Sequence, residues 1–81
     1  MIFSRLLQSE HHTRSFVVGK ASDRGWEVRK VADNRVVKST TLGDWHRVES
    51  AIMRFSIEAT ELRSAGWTDV PPVYDTASID V

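Results

Sequence analysis

The chain has no cysteine. That excludes a disulfide framework and a thiolate metal site, and leaves only His and carboxylate ligands for zinc. Its four glycines are dispersed at 19, 25, 43 and 66. No glycine-rich phosphate loop can be built from them, and no serine sits in a Gly-x-Ser-x-Gly context. No apolar run approaches the ~18–20 residues that span a bilayer. The apolar start, Met1-Ile2-Phe3-Ser4-Arg5-Leu6-Leu7, is broken by Arg5 and has no small-residue cleavage site after it, so it reads as part of the mature protein. With the lack of cysteine, this points to a cytoplasmic location, with no membrane partner. Charge of one sign is lacking too: 11 basic residues face 11 acidic ones. A dedicated nucleic-acid binder is usually strongly basic.

What is present fits one small domain. The chain has 81 residues, 41% apolar and 27% charged, an ordinary globular composition at a length that gives a thin core. Self-association is a common way for such domains to bury more surface. The neutral total hides an asymmetry. Residues 1–38 carry eight Lys/Arg and four Asp/Glu, and residues 39–81 carry three and seven, so the two parts hold +4 and −4.

Three segments have strand character. Residues 14–20 (Arg-Ser-Phe-Val-Val-Gly-Lys) are β-branched and aromatic, and a turn-like Ala21-Ser22-Asp23-Arg24-Gly25 follows. Residues 26–31 and 35–40 flank Asp33-Asn34, whose side chains tolerate positive φ and suit a two-residue hairpin turn. A regular hairpin then sets Val31 opposite Val36, Lys30 opposite Val37 and Val28 opposite Ser39. Trp26, Val28 and Val37 would share one face, and Glu27, Arg29, Val31, Val36, Lys38 and Thr40 the other.

After Thr40 the period changes. Trp45, Val48, Ile52, Phe55, Ala59 and Leu62 follow 3-4-3-4-3 spacing, which predicts an amphipathic helix over about 42–65. Thr41 and Asp44 compete as its N-cap. Gly66 can close it in the left-handed conformation and let Trp67 fold back on Leu62. Arg47, Ser50, Arg54, Glu58 and Glu61 form a solvated stripe with an Arg54–Glu58 pair at i, i+4. Ile2, Phe3, Leu6 and Leu7 are spaced for one face of a short helix or an irregular arm. The expected fold is therefore α+β. A three-stranded antiparallel sheet packs on one long C-terminal helix, with an apolar N-terminal arm. Residues 1–67 form the domain and 68–81 a flexible tail.

Val17, Val31 and Val36 on the outer sheet face, with Met53 and Ile57 on the helix flank, make a candidate protein interface unless the arm covers them. The leading functional expectation is a non-catalytic, self-associating protein-interaction module with no cofactor, which binds itself or another protein. A second expectation uses the basic side chains Arg14, Arg29, Arg35 and Lys38. A three-stranded sheet backed by a helix resembles in layout the AP2-type and integrase-type DNA-binding domains, and that resemblance implies insertion of the exposed sheet face into a major groove. A third is a small enzyme or metal site around His46, with Glu49 three residues on and Asp44 two before. His11-His12 on extended chain point apart and chelate poorly. Pro71-Pro72-Val73-Tyr74 is similar to the PPxY motif bound by WW domains, and Ile79-Asp80-Val81 suits addition to a sheet edge.

Overall fold

A computed structural model describes residues 2–71. The elements in chain order are β1 (Phe3–Ser9), β2 (His12–Lys20), β3 (Trp26–Ala32), β4 (Arg35–Leu42), α1 (Trp45–Ser64) and β5 (Thr68–Val70). The class is α+β, as expected, but the sheet has five strands rather than three. Their order is β4-β3-β2-β1-β5, with every neighbouring pair antiparallel. Four strands form a meander. The helix then crosses one face and returns the chain to the far edge.

The two extra strands correct the expected arm and tail. The apolar start is β1, paired with β2 from Phe3 opposite Val18 to Ser9 opposite His12. Its side chains alternate between the two sides of the sheet. Phe3 and Leu7 turn toward the helix and Leu6 away from it. The register also puts Arg5 on the helix side, where its Nη2 donates to Asp69 at 2.7 Å. The hairpin turn is Glu10-His11, neither a turn-forming type, and Glu10 is held at φ 53°. Thr68–Val70, expected to begin the tail, pairs with β1 as β5. Pro72-Val73-Tyr74 of the PPxY-like segment and the Ile79-Asp80-Val81 terminus lie outside the described residues.

The β3–β4 hairpin has the expected turn, with Asp33 and Asn34 at φ 51° and 67° and Val31 opposite Val36. The register then slips: Lys30 pairs with Lys38 rather than Val37, and Val28 with Thr40 rather than Ser39. The unpaired Val37 is a β-bulge, and one extra residue on a period-two strand exchanges faces beyond it. Lys38, Thr40 and Leu42 therefore lie in the rows of Lys30, Val28 and Trp26. Val37, expected in the core, is 57% exposed.

The helix starts at Trp45, later than expected, because Thr41 and Leu42 belong to β4. Asp44 is the N-cap, and its Oδ1 accepts from the His46 amide at 2.9 Å. At the other end Gly66, at φ 104°, donates to the Arg63 carbonyl, and Trp67 donates to the Leu62 carbonyl. These two bonds are the closure expected of a Gly just past a helix end.

The core lies between the helix and one sheet face. Leu7, Phe16, Val18 and Val28 from the strands meet Val48, Phe55 and Ala59 from the helix. The Phe16 and Phe55 rings pack with centroids 4.9 Å apart. Trp45 sits edge-on to Trp26 at 5.2 Å but stays 43% exposed, so it guards the rim rather than filling the core. Gly25, at φ 77°, lets the β2–β3 connection press on β4: a Cβ there would lie 2.3 Å from the Leu42 carbonyl oxygen.

Candidate functional site

The helix covers one face of the sheet, and among the described residues nothing covers the other. Residues opposite each other across strands share a face, so the pairings define the open one. One row runs Val70, Leu6, Ser15, Val31 and Val36 from β5 to β4. The next runs Ser4, Val17, Arg29 and Ser39. Leu6, Val17, Val31 and Val70 are half-buried by their neighbours, and Val36 is 56% exposed. The remaining outward positions are Gln8, Thr13, Gly19, Thr41 and Thr68, small or uncharged, and Glu27. Among the described residues, Glu27 and Arg29 are the face's only charged side chains, and they pair with each other at 2.6 Å, with Ser39 Oγ donating to Glu27 at 3.4 Å.

The expected interface splits in two. Val17, Val31 and Val36 do share the open sheet face. Met53 and Ile57 sit 66% and 55% exposed on the helix, which lies against the opposite face, so they belong to a separate surface. The arm does not cover the valines, because as β1 it lies in the plane of the sheet. It extends their band through Leu6, and β5 extends it through Val70. Sequence reasoning missed both residues. Arg5 among the inward positions and adjacent Leu6-Leu7 blur the alternation of the first strand, and no local signal marks a three-residue strand before prolines.

The proposed nucleic-acid contacts do not form a basic outer face. Of Arg14, Arg29, Arg35 and Lys38, only Arg29 points outward, and Glu27 neutralises it. Arg14 is opposite Leu7 and Ala32 on the helix side, with its guanidinium 5.3 Å from the Trp67 ring centre and its Nε buried without a hydrogen-bond partner. Arg35 flanks the hairpin turn opposite Ala32. Lys38 is carried to the helix side by the bulge.

Charges on the helix side stand at the rim and fasten the two layers. Lys30 Nζ donates to Glu58 at 2.8 Å. That bond takes the carboxylate expected to pair with Arg54. Asp69 accepts from Arg5 and lies 3.3 Å from Arg63 Nε. At the hairpin end Asp33 accepts from the Thr13 amide at 2.9 Å and meets His12 Nδ1 at 3.1 Å. The Thr13 amide, then the His12 hydrogen bond and the nearby His12 and Arg14 charges, hold its carboxyl below the usual carboxylate range.

His46 is paired loosely with Glu49, 3.7 Å away, and its side chain is 91% exposed. Asp44 is occupied as the helix cap. Among the described residues no three His, Cys, Asp or Glu side chains gather as a metal site requires. No helix there is long and apolar enough to cross a membrane. No protein-family model, curated protein or solved structure matches the chain.

Proposed function

We propose that the chain is a small non-catalytic interaction module of the cytoplasm that pairs with a second copy of itself through the open face of its sheet. The observation that carries this reading is the band Leu6, Val17, Val31, Val36 and Val70, set among small neutral residues on a face that no described segment covers. A pair of such faces is compatible with itself. The only ions on it among the described residues, Glu27 and Arg29, neutralise each other, so no unpaired like charges oppose each other across a two-fold axis. Area supports the same reading. Five strands at ~4.8 Å spacing and about seven residues at ~3.3 Å rise give roughly 500 Å² per face. Two faces packed as a sandwich would bury about 1,000 Å², the lower limit for a specific contact. The dimer is therefore expected to be weak and concentration-dependent.

Light scattering over a wide concentration range tests it. The mass is expected to rise toward twice that of one chain, and Val31→Lys is expected to hold it at one chain. A single-chain mass at millimolar concentration would overturn the reading.

A further inference from the structure

The helix does not reach the β4 edge, and a groove of about 270 Å³ runs between them. Lys38 from β4 and Arg47 and Arg54 from α1 line it. None of the three forms an ion pair among the described residues, since Glu58, the carboxylate nearest in sequence to Arg54, is held by Lys30. Three cations thus share one concavity with no anion. The floor is apolar, made by Val28, Leu42 and Ala51, with the Thr40 hydroxyl beside it. The wall is a free sheet edge: β4 is the outermost strand, and past the Val37 bulge Lys38–Leu42 runs regularly.

We propose that this groove binds an extended acidic peptide segment of a partner protein, added as a sixth strand along Lys38–Leu42. Main-chain hydrogen bonds to the edge supply the alignment. Alternate side chains of the added strand fall on the helix side, in the rows of Lys38, Thr40 and Leu42. Carboxylates in the two outer rows meet Lys38, Arg47 and Arg54, and an apolar side chain in the middle row, two residues from each carboxylate, meets the floor. The edge and the apolar floor favour a peptide over a nucleic acid, which would use the cations and leave the strand groups unpaired. The groove is on the helix side, so it is independent of the open face proposed for self-pairing.

The test is fluorescence anisotropy at low salt with the full chain. The probes are a labelled Glu-Thr-Val-Thr-Glu peptide flanked by Gly-Ser, the same peptide N-methylated at alternate backbone nitrogens, and a single-stranded oligonucleotide. The plain peptide is expected to bind, to weaken with salt, and to lose about tenfold or more in affinity when Arg47→Glu and Arg54→Glu are combined. Both arginines are exposed and unpaired, so the double variant should keep its circular dichroism and melting temperature. N-methylation should abolish binding with charge unchanged, and Val31→Lys should leave it intact. Equal binding of the N-methylated peptide, tighter binding of the oligonucleotide, or no peptide binding at low salt would each overturn the proposal.

Discussion

The two faces of one sheet carry similar numbers of valine and leucine side chains, yet only one is finished. On the helix side, Leu7, Phe16 and Val18 are fully buried, and the pairs Lys30–Glu58 and Arg63–Asp69 at the rim bond across the layers. On the other side, the apolar residues are smaller, interspersed with serine and threonine, and covered by nothing among the described residues. Burial against the helix is what makes a residue essential to folding. Exposure on the open face frees a residue for recognition. Phe16 and Val17, adjacent in β2, stand on opposite sides of that division.

Substitutions at these neighbours should separate the two roles most sharply. Phe16→Ala is expected to cost about 3–5 kcal/mol, enough to abolish the cooperative transition of a domain this small. Val17→Ala should lower the single-chain denaturation midpoint by less than about 1 kcal/mol equivalent while weakening self-association. Equal losses at both sites, measured by urea unfolding at low concentration, would erase the distinction between the faces.

The edge where both faces end gives the next effect. Gly25→Ala forces a Cβ against the Leu42 carbonyl at a positive φ, and about 2–4 kcal/mol should be lost. A smaller loss falls on the covered face alone. Asp44→Ala removes the cap of the helix that covers it and should cost about 1 kcal/mol by thermal melting. The smallest is an acid effect at the hairpin end. Because the folded state depresses the Asp33 carboxyl, its contribution is present above the ordinary carboxylate pKa of about 3.9 and is lost as pH falls through the lower folded value. Asp33→Asn keeps the turn and the acceptor for Thr13. Its stability should therefore fall less than that of the wild type when denaturation is compared at about pH 5 and pH 2. Parallel curves would contradict the assignment.

The helix and the two-sided β3 strand were legible in the sequence because their periods are long and uninterrupted. The open-face residues Val17, Val31 and Val36 followed from the same alternation. Three things were hidden. The β1–β2 turn is built from Glu10-His11, which carry no turn chemistry, so the first hairpin left no local mark. The bulge at Val37 adds one residue that composition does not announce, and it sends Lys38 to the helix side, where it joins Arg47 and Arg54. Pairing of Glu58 with Lys30, rather than with Arg54 one turn away, depends on the distance between layers and is invisible to spacing along a helix.

Nuclear Overhauser contacts between isotope-labelled and unlabelled copies, mixed at millimolar concentration, test the open face most directly. Cross-copy contacts among the methyl groups of Leu6, Val17, Val31 and Val36 are the expected result. Cross-copy contacts from Met53, Ile57 and Trp45 instead, or none from any methyl group, would contradict the assignment of the open face.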